Sequence, residues 1–111
     1  MGINQGAQSY LNYARPKLEE LRQIRDRAAD ARFYLKDARD KLSDANSALD
    51  KYLSSSGDQD LSKHKTTLKN RKSDLDSMIT KVNNAISQSV GVISAFETNI
   101  WNAEDRLYTD D

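Results

Sequence analysis

The sequence predicts an all-α protein: two long antiparallel helices forming a coiled-coil-like hairpin suited to assemble into a four-helix or larger bundle. Three observations carry this expectation. Apolar residues recur in sevens through both halves of the chain. A short Ser/Gly/Asp-rich stretch separates the halves. One Pro and four Gly are spread over 111 residues, so little forces a regular element to stop.

The first helix is read from Leu21, Ala28, Leu35, Leu42 and Leu49, with a second line offset by three, Ile24, Ala31, Ala38, Ala45 and Tyr52. No polar residue interrupts either line. Apolar positions spaced three and four apart fall on one narrow stripe, as a coiled-coil seam requires. Backwards, the pattern continues through Ala14, Tyr10 and Ala7, broken only by Lys17, with Leu18 beside the break. Pro16 suits a helical first turn, where Asn12 would cap it. The seam's extension to Ala7 favours a start before Pro16.

The second helix carries Leu61, Leu68, Leu75, Val82, Ser89, Phe96 and Ala103 on one line. Its companion line reads Lys65, Lys72, Ile79, Ile86, Ile93, Ile100 and Leu107. The β-branched Ile residues cost a few tenths of a kcal/mol each in propensity, which seam packing outweighs. Between the helices, Gly57 suits the left-handed conformation that ends a helix. Ser56, Asp58 or Asp60 can cap the next one. The chain is thus read as a single hairpin over 1–111, with helix 1 at about 7–53, a turn at 54–60 and helix 2 at about 61–108. So short a turn makes the helices antiparallel neighbours.

Charge fits this pairing. The acid-free run Lys63, Lys65, Lys69, Arg71, Lys72 would lie beside Asp37, Asp40, Asp44 and Asp50. Arg15, Lys17, Arg22 and Arg25 would lie nearer Glu104, Asp105, Asp110 and Asp111. Each exposed pair is worth under about 1 kcal/mol, so charge sets register more than stability.

Composition narrows the function classes. A hydrophobic fraction of 37% beside 31% charged residues supports a long apolar seam, not a thick core. Seventeen basic and 17 acidic residues give no net charge, against a dedicated nucleic-acid binder. The run from Lys63 to Lys72 lacks interleaved aromatics and has acids across the hairpin, so no nucleic-acid partner is expected. With no Cys there is neither disulfide nor thiolate metal site. No run approaches the roughly 18 apolar residues of a membrane span, and Met1 to Ser9 do not form a signal peptide. The expectation is a cytoplasmic protein, or one exported without a cleavable signal, that does not insert in membranes.

Catalytic and cofactor chemistry find no foothold. His64, between Lys63 and Lys65, reads as a solvated helix residue. Asp37, Asp40 and Asp44 share a helix face and could in principle hold a cation, but a solvated acidic face explains them better. Ser55 and Ser56 have no His or Lys to activate them, and no Gly-rich phosphate loop occurs. Gly91 would permit a close helix approach or a bend. No enzyme, cofactor or metal is expected.

The apolar surface exceeds what one helix covers. Helix 2 adds Met78, Ala85, Val90, Val92, Trp101 and Tyr108 to its stripe; helix 1 adds Tyr10, Leu11, Tyr13 and Leu18, with Phe33 and Tyr34 off the seam. A helix apolar around much of its circumference is normally buried by more than one neighbour. A thin two-helix domain also gains from association. A homo- or hetero-oligomeric face is therefore expected, with Phe33 part of it.

A chain of this size with two long helices about Ser54-Ser55-Ser56-Gly57 resembles the small Trp-X-Gly hairpin proteins of bacterial type VII secretion. It resembles still more their divergent relatives, the helical partners that accompany Leu-X-Gly polymorphic toxins. The turn itself carries no Trp-X-Gly. Those families have an export signal in which an acid follows an aromatic residue by four positions near the end of helix 2. Trp101-Asn102-Ala103-Glu104-Asp105 has that spacing, and Phe33 with Asp37 has it on helix 1. The resemblance implies a chaperone-like partner or targeting factor, pairing with a toxin's helical domain or a second small hairpin. It implies that Leu18, Leu21, Ile86, Val90, Ile93, Phe96 and Ile100 contribute to burial or pairing. Trp101 and Asp105 would serve recognition by the secretion machinery. The rival expectation is an intracellular structural or adaptor coiled coil that forms a homodimeric bundle.

Overall fold

The computed structural model describes residues 2–108, and among these every regular element is helical: α1, Gln5–Ser56, and α2, Gln59–Arg106. Both helices run beyond the expected limits of 7–53 and 61–108 on the turn side, leaving only Gly57 and Asp58 between them. The reason is local chemistry. Ser54 and Ser55 turn their hydroxyls back to donate to the carbonyls of Asp50 and Lys51, at 2.8 and 3.3 Å, so they stay helical. Gly57 adopts φ 65° and ends α1, its N–H donating to the Leu53 carbonyl at 3.0 Å. Asp58, not Asp60, caps α2: its Oδ1 accepts from the N–H groups of Asp60 and Leu61 at 3.0 and 3.1 Å. At the other end α2 stops at Arg106 rather than 108, in a tight turn where Leu107 N–H donates to Glu104 O at 3.2 Å.

The start of α1 precedes Pro16, which lies inside the helix on its exposed side. Asn4 is the cap, its Oδ1 accepting from Ala7 N–H at 3.1 Å, and Asn12 lies in the helix accepting from Gln8 Nε2. The α1 first turn holds no acid and its last turn no base, so the cap carries that end alone. By contrast α2 has Asp60 in its first turn and Arg106 in its last, each of the sign its dipole favours.

The chain divides into two compact units. A terminal unit joins the start of α1, up to Ala28, with the end of α2, from Ala85; a turn unit is Ala29–Asn84. The helices are antiparallel in each. In the terminal unit Arg15 pairs with Glu104 at 3.8 Å and Arg22 with Glu97 at 3.6 Å. There Asn4 N–H also donates to Leu107 O at 2.8 Å, joining the ends of the two helices. In the turn unit Arg32 donates to Asn83 at 3.1 Å, Arg39 pairs with Asp76 at 3.6 Å, and Lys65 pairs with Asp50.

The seam of α2 follows both expected lines. Ile79, Ile93, Ile100 and Ala103 are buried, and Lys65, Leu68, Lys72, Leu75, Val82, Ile86, Ser89, Phe96 and Leu107 are half-buried; only Leu61 is turned out. On α1 the line through Ala7, Ala14, Leu21, Ala28, Leu35, Leu42 and Leu49 faces inward as expected. The companion line does not. Ile24, Ala31, Ala38, Ala45 and Tyr52 are exposed, and the inward column is Leu11, Leu18, Arg25, Arg32, Arg39, Asn46 and Leu53. The central column of α1 is shared, and its i+4 neighbours, not its i+3 neighbours, meet α2.

Volume and reach explain that choice. Alanines at 31, 38 and 45 would leave gaps between two helices, whereas the aliphatic stems of Arg32 and Arg39 fill them and carry the guanidinium groups to Asn83 and Asp76. At the far end of the column Leu11 is 0% exposed and completes a cluster with Ala14, Leu18, Ile93, Ile100 and Ala103. Ala7, Tyr10, Leu21, Phe96 and Leu107 pack against it.

Two truncations separate the observed seam from the one read off the sequence. Leu11→Ala should cost about 2–5 kcal/mol, as truncation of a fully buried Leu does. Ile24→Ala, at a position 47% exposed, should stay within about 0.5 kcal/mol. Urea unfolding followed by helical circular dichroism measures both, and equal losses would mean that Ile24 faces α2.

Candidate protein-binding surface

Most of the expected partner-binding residues are used inside the terminal unit. Leu18, Ile93 and Ile100 are buried in its cluster, Leu21 and Phe96 pack against it, and Ile86 is half-buried. Tyr13 lies over Phe96 with ring centroids 6.5 Å apart and stays largely exposed. These side chains hold α1 to α2, so they are not free for another protein while the hairpin is closed.

The remaining four candidates are on the surface. Trp101 is 63% exposed, and Val90 and Asp105 are exposed on the same helix. Val90 and Trp101 are spaced 11 apart, which places them on one face of α2, and Tyr108 is exposed in the turn that follows the helix. Glu97 and Glu104 lie along that face, and their pairs with Arg22 and Arg15 form a polar edge beside it. Asp105 follows Trp101 by four residues, so both can be read from one side. Among the described residues Asp105 has no ion pair.

Phe33 lies in the turn unit, 67% exposed and edge-on to Tyr34, with centroids 5.4 Å apart and planes at 83°. It belongs to the turn unit, whereas Trp101 belongs to the terminal unit. Asp37, its acid at the fourth position, pairs with Lys41 at 2.9 Å, and Asp40 with Arg39 at 3.2 Å. Sequence reasoning missed the solvent-facing line Ile24, Ala31, Ala38, Ala45, Tyr52, because it assigned those residues to the seam. The signal that would have found them is the competing column Leu11, Leu18 and Leu53, which brackets the arginines.

His64 is exposed on α2. A cleft of about 480 Å³ in the terminal unit is lined by Tyr10, Asn99, Asn102 and Arg106 together with Asn4 and Ala7. Its amides and phenol form no nucleophile and base pair. Among the described residues no group of acids or His could hold a metal ion, and no helix is long and apolar enough to cross a membrane. A Cβ at Gly91 would meet nothing within 4 Å, so this glycine serves no close approach of the chain's own helices.

The expected band of acids against bases is real at one point. Lys65 holds Asp50, whereas Asp37 and Asp40 pair within α1 and the next bridge, Arg39 with Asp76, has the opposite polarity. In the terminal unit Arg15 meets Glu104 as expected, but Lys17 pairs with Glu20 and Arg25 with Asp26; Asp110 and Asp111 lie outside the described residues. The Lys65 ammonium paired with Asp50 holds its carboxyl below the ordinary value of 3.8; desolvation opposes this, and the positive charge of Lys69 acts with Lys65. A carboxyl with a lowered folded pKa adds stability above its unfolded value, and that stability is lost as the pH falls through the folded value. Acidification below about pH 3.8 should therefore lower the urea midpoint of the wild type more than that of Asp50→Asn. Parallel curves for the two proteins between pH 5 and 2 would remove the Lys65 bond as a stabilising element.

No protein-family model, curated protein or solved structure matches the chain.

Proposed function

We propose that this chain is a non-catalytic protein-binding module, a partner or targeting factor for a secreted effector or toxin of a type VII system. The observation that carries the binding reading is the exposed α2 face of Val90 and Trp101, with Tyr108 exposed in the turn after it, outside a core that is already complete. Six buried apolar side chains close the terminal unit without these three, so their exposure is not a failure of folding. An aromatic patch beside charged pairs has the make-up of an interaction site, where Trp and Tyr anchors dominate binding energy and a polar rim excludes water. The secretion reading rests on the resemblance: the hairpin, the Ser/Gly turn and the Trp101–Asp105 spacing.

On this reading Trp101 and Val90 dock on the helical domain of the effector or on a second small hairpin, and Asp105 completes the signal beside Trp101. The core residues Leu18, Leu21, Ile93, Phe96 and Ile100 act indirectly, by holding the face rigid. Replacing Trp101 and Asp105 with Ala should abolish export and leave helicity unchanged. Trp101→Ala alone should cost 2 kcal/mol or more, about a 30-fold loss, if the Trp is a binding anchor for the effector's helical domain. Co-purification and calorimetry with that domain measure the second effect, and secretion of the double variant from the native host measures the first. Normal export of the double variant would remove the targeting role; undiminished binding of Trp101→Ala would remove the docking face.

A further inference from the structure

We infer that the turn unit is built to open by itself: its two helical halves separate and melt together while the terminal unit stays closed, and Asn46 sets how often. The burial inventory is the first observation. Six apolar side chains are buried in the terminal cluster, whereas in Ala29–Asn84 the buried side chains are Ile79 and Asn46. Proteins open locally in contiguous cooperative units, and those with few buried apolar contacts lie at the low-stability end.

The second observation is where the turn unit's own bonds fall. Arg39 pairs with Asp76, and Asp50 with Lys65. That register sets Asn46 opposite Lys69 and Ser43 opposite Lys72. Between the two bridges each helix runs for about 16 Å. Among the described residues no hydrogen bond or ion pair crosses the seam in that interval. Asn46 lies there 8% exposed with its Oδ1 unpaired, and Lys72 lies there half-buried without an ion pair. Asn or Lys at a seam position fixes register at a cost in stability. A buried acceptor left unpaired adds its desolvation to that cost. The seam is weakest here in packing and in bonding alike.

Helix propensity does not hold the halves together once they part. The α1 half ends at Ser56 and the α2 half starts at Gln59. Helices in proteins draw most of their stability from a packed apolar face, and separation removes that face. The backbone hydrogen bonds of both halves then melt in one step. Opening also uncovers Leu42, Leu49, Leu68 and Leu75, which the closed seam half-buries. The turn unit thus shows an apolar surface that the closed hairpin hides, and it does so whether or not the Trp101 face binds an effector.

Native-state hydrogen exchange of the backbone amides, resolved by NMR, tests this on the whole chain. Protection around Leu42, Leu49 and Leu75 should share one value, at least roughly 10-fold below that around Leu11 and Ile93. Ile93→Val removes one buried methyl group from the terminal cluster. It should lower protection there about fivefold and leave the turn unit's protection unchanged. Asn46→Leu replaces the unpaired acceptor with an apolar side chain and should raise turn-unit protection roughly 10-fold. Equal protection in the two units would overturn the proposal. So would a loss of turn-unit protection in Ile93→Val, or turn-unit protection that Asn46→Leu leaves unchanged or lowers.

Discussion

The structure depends on one packing constraint: each helix can bury only two adjacent columns of side chains against the other. On α2 the Ile79, Ile86, Ile93, Ile100 line supplies one column and the Leu75, Val82, Phe96 line the other. On α1 the column through Leu21, Leu35, Leu42 and Leu49 is central, and a neighbour on either side of it could complete the seam. Everything that follows, including which residues remain for other proteins, is decided by which neighbour turns inward.

That decision was not legible from local periodicity. The helices, the turn about Gly57 and the α2 seam beyond Leu61 were, because each rests on a signal that needs no tertiary competitor: long heptad runs, a residue able to take φ 65°, and a second helix whose stripe is nearly continuous from Leu75 onward. On α1 the i+3 column looked superior, being apolar throughout. The i+4 column won because its quality is uneven: leucines at 11, 18 and 53 anchor the ends, and long arginine stems fill the middle where alanines would leave voids. Hydropathy scores an arginine as exposed, whereas its stem packs like a hydrocarbon and its head reaches a partner at the edge. The same error hid the outward column. Val90 and Trp101 stood outside every stripe, whereas Ala31 and Ala38 were counted as core.

The two units are stabilised in different ways. The terminal unit has the apolar cluster centred on Leu11 and a backbone hydrogen bond from Asn4 to Leu107. In the turn unit the buried side chains are Ile79 and Asn46, and Asn46 Oδ1 has no hydrogen-bond partner among the described residues. An unpaired buried acceptor costs about 1–3 kcal/mol. The turn unit instead relies on Arg32 with Asn83, Arg39 with Asp76 and Lys65 with Asp50, bonds that fix register but add little stability when partly exposed. Its thin seam agrees with the two lysines, 65 and 72, on the inward line of α2.

This difference bears on function. Where a seam is rich in apolar contacts, the face outside it can carry anchors such as Trp101 without being needed for folding. In the turn unit, by contrast, Arg32 and Arg39 stand in the inward column itself, so a change there alters the seam and not only a surface.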